Sequence, residues 1–273
     1  MVSTIVALLG VTLTAGVTTP SGHARPTLAA PAGDYMYTFT TTEESGSASR
    51  GTVRVHGGRT RIDMESDKDP RNYILLTDNG TRMLSVHPDR KEVDQISSPS
   101  FERIIGTSLR AVSPIVKFKV QNSKISFARV ATGQKLLGYG TEQIRITEQF
   151  DVHTVAMGFD GGTEHHMVVT DYWVSPGLDL GTNPLLALLE HAATATAQTD
   201  ANFVEQESAV RAQALSGTPL RTVMKESTVD DKGIRHTSTR TIDITSVKVG
   251  PQPAALFEIP SGYRIKSGMN ISM

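Results

Sequence analysis

Residues 34–65 read DYMYTFTTTEESGSASRGTVRVHGGRTRIDME, and the alternation in this stretch decides the fold. Successive side chains of a strand point to opposite faces of a sheet. Residues 34–42 therefore set Tyr35, Tyr37 and Phe39 on one face and Met36, Thr38 and Thr40 on the other. Residues 51–56 place Val53 and Val55 together. Residues 59–65 place Ile62 and Met64 together, with Arg61, Asp63 and Glu65 on the opposite side.

The same period continues along the chain. Residues 72–77 and 81–86 flank Asp78-Asn79-Gly80, a triplet that tolerates positive φ and marks a hairpin. His87-Pro88-Asp89-Arg90 turns the chain into 91–96. Strands resume at Ile115, with Gln121-Asn122-Ser123 read as a turn. Thr132-Gly133-Gln134 leads through Gly138-Tyr139-Gly140 into a strand with Ile144 and Ile146. Residues 152–159 and 163–174 pair across Asp160-Gly161-Gly162. Residues 221–228 and 234–247 pair across Asp230-Asp231-Lys232-Gly233, and Phe257-Glu258-Ile259-Pro260 reads as a final short strand.

Two regions change to helical spacing. Ser98-Pro99 offers a cap and a first-turn proline, then Phe101, Ile104, Ile105 and Leu109 recur at helical intervals, predicting a helix over 99–110. Asn183-Pro184 opens a second region with Leu185, Leu186, Leu188 and Leu189. Phe203, Val204, Val210, Ala214 and Leu215 continue it before Ser216-Gly217-Thr218-Pro219, predicting one kinked or two consecutive helices over 184–215. Short links between strands predict antiparallel pairing. The fold class expected is α+β, mainly β: a curved antiparallel sheet with helices packed on its concave face.

Composition narrows the function. The 273 residues carry 27 basic and 28 acidic side chains, a formal charge of −1, which leaves no electrostatic footprint for nucleic acid. The absence of cysteine excludes disulfides, thiolate metal sites, thiol catalysis and an acylated-cysteine anchor. Residues 1–24 contain no Asp, Glu, Lys or Arg, and Ile5 to Val17 is too short an apolar run to span a bilayer. It fits the core of a secretory signal, with cleavage expected after Ala24 and a flexible lead-in over 25–33. A single domain over 34–273 follows, exported to the periplasm or outside the cell and without a stable membrane anchor.

Sites for chemistry are weak. Glu164-His165-His166 with Asp171 is the most metal-like group, but adjacent histidines on a strand face opposite ways. His153 and His166 could meet across a hairpin. Gly106-Thr107-Ser108-Leu109-Arg110 starts like a nucleophile elbow but lacks the closing glycine. No phosphate loop or dinucleotide fingerprint occurs. Asp63, Glu65, Asp67 and Asp69 beside Arg61, Lys68 and Arg71 read as a solvated face. No metal, cofactor or catalytic residue is expected, and the chain is read as a non-enzyme. Phe101, Ile105, Leu185, Leu188 and Leu189 are the candidates for lining an apolar groove between sheet and helices, suited to an acyl-type ligand.

Three segments carry a family resemblance. Phe257-Glu258-Ile259-Pro260-Ser261-Gly262-Tyr263 is similar to the closing strand of LolA-like periplasmic lipoprotein carriers and related exported domains. Gly133 through Tyr139 into the Ile144 strand, followed by Asp171-Tyr172-Trp173-Val174-Ser175, resembles their core segment. Gly51-Thr52-Val53-Arg54-Val55 with Arg61-Ile62-Asp63-Met64 resembles their early strands. The resemblance covers roughly residues 34–264. It implies a half-barrel sheet with helices on its concave side, and a role in carrying lipoprotein acyl chains or binding lipid. Other members of that group sense envelope stress, so an envelope sensor or scaffold making protein contacts is the alternative. A hydrolase with dispersed carboxylates is a weaker one. The chain departs from several relatives in having Gly140-Thr141-Glu142 where they place a cysteine, and in its long alanine-rich helical region.

Overall fold

The computed structural model describes residues 33–65, 72–78, 82–97, 116–156, 159–178, 180 and 201–267. Twelve strands form one sheet. They are β1 (Tyr35–Glu43), β2 (Ala48–His56), β3 (Arg59–Glu65), β4 (Tyr73–Thr77), β5 (Arg82–His87) and β6 (Glu92–Ser97), then β7 (Val116–Leu136), β8 (Tyr139–Ala156) and β9 (Phe159–Ser175). After the helix α1 (Ala201–Ala214) come β10 (Thr218–Val229), β11 (Arg235–Val249) and β12 (Arg264–Ser267). Their order in the sheet is β12-β6-β5-β4-β3-β2-β1-β11-β10-β9-β8-β7. Every pairing is antiparallel except that of β12 with β6.

This architecture corrects the α+β expectation. Strand dominates the described residues, and their helix is limited to α1 and one 3-10 turn at Ala254–Phe257. The fold is a wide open sheet rather than a sheet with a helical layer. The helix expected over 99–110 and the 184–200 part of the second region lie outside the described residues.

Bulges also move strand boundaries from those the alternation predicts. Gln121-Asn122-Ser123 and Thr132-Gly133-Gln134 do not turn the chain. Register shifts between Gln121 and Lys124, and between Thr132 and Gln134, absorb them within β7, a strand of 21 residues. Asn122 takes up its extra residue at φ 54° and Gly133 at φ 90°. The β7–β8 turn is instead the pair Leu137-Gly138, at φ 52° and 84°, closing Leu136 onto Tyr139. Asp160-Gly161-Gly162 likewise lies inside β9, where His153 pairs with Thr163 and Val155 with Asp160. Phe257 to Pro260 is not a strand. Phe257 is the last residue of the 3-10 turn, Glu258 to Pro260 follow it, and the closing strand is β12, which starts only at Arg264.

The register fixes two faces. One carries Tyr37, Val53, Ile62 and Ile74 in a row across β1 to β4. Another row on this aromatic face runs Thr41, Ile242, Thr222, Tyr172 and Ile144. On the opposite face Tyr73, Leu75, Leu84, Val86 and Val93 form a second core, covered by Ile259 and Tyr263. The Arg61 guanidinium lies 3.7 Å over the Tyr73 ring and donates from Nη1 to the Leu256 carbonyl at 3.1 Å. The segment read as a last strand therefore serves as a cover for β4 to β6.

Candidate ligand-binding face

The predicted groove residues Phe101, Ile105, Leu185, Leu188 and Leu189 lie outside the described residues. The described sheet carries an apolar wall of its own. Val53, Ile62, Leu76 and Met83 are buried at its base, with Tyr37, Phe39, Val55, Met64 and Ile74 packed on them and only partly buried. Tyr35 and Tyr37 stack at 6.4 Å between ring centroids, and Phe39 continues the ladder at 6.4 Å. Gly51, opposite Phe39, makes room for that ring: a Cβ there would fall 2.6 Å from Phe39 Cζ and 3.0 Å from Met64 Sδ. Aromatic rings spaced along one strand give a wide apolar surface at low rotamer cost.

A second patch adjoins it. Leu178 and Leu180, which follow β9, pack with Tyr35 and Leu220 in a buried cluster. A bulge between Pro219 and Arg221 adds Leu220 to β10 and leaves it almost fully buried. Thr218 ties the segment down: its amide donates to the Leu178 carbonyl at 2.8 Å, and its hydroxyl accepts from the Leu180 amide at 3.0 Å. Gly217 permits this approach. Its φ is 108°, and a Cβ there would lie 2.1 Å from the Ser175 carbonyl oxygen.

The third patch is Ile144, Ile146, Tyr172 and Val174, on which α1 places Ala214, Val210 and Leu215. Beside it α1 holds a buried cation. Arg211 donates to Glu207 Oε1 at 2.9 Å, to the Tyr172 hydroxyl at 2.5 Å and to Glu148 Oε1 at 3.0 Å. Burial alone would favour loss of its proton, but Tyr172, Glu207 and Glu148 more than offset that and hold the guanidinium charged. Burial raises the Glu148 carboxyl above the usual range; Arg211 opposes this and Glu207 adds to it. The arrangement fastens helix to sheet through charge.

At the far end of β8 and β9, Phe150 stacks on His166 at 5.0 Å and meets Phe203 of α1 at 5.2 Å. His166 Nδ1 lies 3.4 Å from Glu226 Oε1. Its Nε2 faces Glu164 Oε2 at 3.3 Å without forming a hydrogen bond. His165 points to the other face and contacts Asp151 Oδ1 at 2.6 Å, so the two histidines do diverge. His153 and His166 do not meet; they pair with Thr163 and Phe150. Asp171 accepts two hydrogen bonds from Arg145, at 2.8 Å each. Among the described residues no three His, Asp or Glu side chains converge as a metal site. Asp63 is bound by Arg54 and Arg61, while Asp67, Asp69 and the 106–110 stretch lie outside the described residues.

Sequence reasoning missed two polar groups. One is Arg211; the signal available was a charged residue between Val210 and Ala214 with a glutamate four positions before it. The other is a Ser85–His87–Asp94 cluster, with His87 almost fully buried. Its residues are those of a serine triad, but both Ser85 Oγ (3.2 Å) and Asp94 Oδ2 (3.1 Å) contact the same nitrogen, Nε2. A triad needs the serine and the carboxylate on different nitrogens, so this geometry is not that of a nucleophile and its base.

No family model matches the chain, and no curated protein does. A solved structure of an uncharacterised conserved protein from Thermus thermophilus is similar over 87% of this chain and 92% of its own, at 8% identity and a TM-score of 0.37. Likeness at that level carries no functional information.

Proposed function

We propose that this protein is a soluble exported binding protein that takes a lipid or other acyl-type ligand against the aromatic face of its sheet. The observation that carries the reading is the wall of partly buried Tyr37, Phe39, Val55, Met64 and Ile74 on a buried apolar base. The resemblance of its early strands to lipoprotein carriers points the same way. The mechanism is sequestration. Each methylene withdrawn from water contributes about 0.8 kcal/mol, so a long acyl chain gains on the order of 10 kcal/mol before ordering costs.

Native mass spectrometry of protein isolated from its own envelope tests this. Co-purified lipid is expected, lost when Phe39→Asp places a charge on the wall. Protein that stays lipid-free, and that fails to enhance a hydrophobic dye after delipidation, overturns the proposal.

A further inference from the structure

We propose that the free edge of β7 is a docking site for an extended acidic segment of another protein, which adds to the sheet as a further strand. β7 ends the sheet: β8 pairs with one side, and no strand among the described residues pairs with the other. An unpaired edge presents a row of backbone donors and acceptors to any chain that can lie along it.

Charge selects the chain. Residues 116–136 contain Lys117, Lys119, Lys124, Arg129 and Lys135 and no acidic residue, although the whole protein is close to neutral. Lys124 and Lys135 are exposed and have no ion-pair partner among the described residues. Arg129 is 62% exposed, with Glu142 3.6 Å away. The opposite end of the sheet differs, because there Glu92 binds both Arg264 and Lys266.

The bulges locate the contact. They interrupt β7 after Gln121, Arg129 and Thr132, leaving Lys124 to Arg129 in unbroken register with β8. This stretch has a cation at each end and Phe127, 37% exposed, between them. Phe127 and Arg129 share the aromatic face and Lys124 the other. A second copy of this chain is a poor occupant. Self-pairing would bring together two copies of an edge that carries Lys124 and Arg129 and no acidic residue, so like charges would face each other across the ladder and destabilise it. A strand with acidic residues at those positions and an apolar one opposite Phe127 meets all three.

The test uses the whole protein and a fluorescent peptide with glutamate at the two positions that would face Lys124 and Arg129 and valine at the positions between them, including the one facing Phe127. Binding is expected, weakening with salt, with new hydrogen-exchange protection confined to β7 amides. The double variant Lys124→Glu/Arg129→Glu should bind roughly tenfold more weakly, the effect of two exposed ion pairs turned repulsive. Unchanged protection of β8 and β9 amides in that variant shows that it is folded. A peptide of equal charge with prolines in place of the valines cannot complete the ladder and should not bind. Equal binding of the proline peptide overturns the proposal, as does binding to anionic vesicles without binding to the valine peptide.

Discussion

A guanidinium withdrawn from water against an apolar sheet is tolerated only where its donors are matched. Arg211 meets that condition through Glu148, Glu207 and Tyr172. Arg211→Met leaves Glu148 buried without its cation, which should cost about 3–5 kcal/mol in urea unfolding. Arg211→Met/Glu148→Met should recover most of the loss. A single-variant cost below about 1 kcal/mol would show that α1 is held by its apolar contacts alone. The pH dependence has a definite sign. Because the folded state raises the Glu148 carboxyl, it holds that proton more tightly than the unfolded chain does. Arg211→Met removes the opposing charge, so the variant should gain stability as pH falls toward the ordinary carboxylate range, more than the parent does. Backbone constraint at Gly217 is a separate case. Its φ of 108° and the 2.1 Å approach to Ser175 leave no place for a methyl group. Gly217→Ala should lower stability by more than about 2 kcal/mol, by strain and by displacing Leu178 and Leu180.

At the scale of elements, β12 is the shortest strand among the described residues, four residues paired in parallel with β6. Hydrogen bonds from Lys266 and Arg264 hold the Glu92 carboxyl well below its usual 4.5, at about 2. A depressed carboxyl stabilises the fold fully above the unfolded value and loses that contribution as pH falls toward about 2. Exchange of β12 amides should accelerate across that interval, and Glu92→Gln should give the same acceleration at neutral pH. Protection in β12 that ignores both changes would show that backbone pairing alone holds it. Strands at this scale were largely legible. β1, β3, β10 and β11 follow the alternation closely because each is bounded by residues that do end a strand. β7 to β9 were not, since Gln121-Asn122-Ser123 and Asp160-Gly161-Gly162 look like turns locally and become bulges only once a neighbouring strand fixes the register. β12 has too few residues to show a period, and its partner lies far away in sequence. The aromatic ladder was legible at Tyr35, Tyr37 and Phe39, but its neighbours Met64 and Ile74 join it only through pairing.

For the whole molecule, the proposed binding mode makes a quantitative demand. The apolar wall extends over β1 to β5 as one packed surface, so a ligand chain lying along it should gain affinity with each methylene it adds. At about 0.8 kcal/mol per methylene, affinity should rise roughly fourfold per carbon until the wall is filled, then level off. Ligand that binds only the folded state also stabilises it, by about 2.7 kcal/mol at a hundredfold excess over Kd. Saturated fatty acids of increasing length should therefore raise the unfolding temperature in steps at fixed concentration. Met64→Asp should abolish the series by placing an unpaired charge in the path of the chain. A shift independent of chain length would mean that the carboxylate head is recognised and the wall is not. No shift at any length, with the sheet intact by circular dichroism, would mean that the aromatic face is core and not a site. The plateau carries the most information, because the chain length at which it falls measures how far along β1 to β5 the ligand lies.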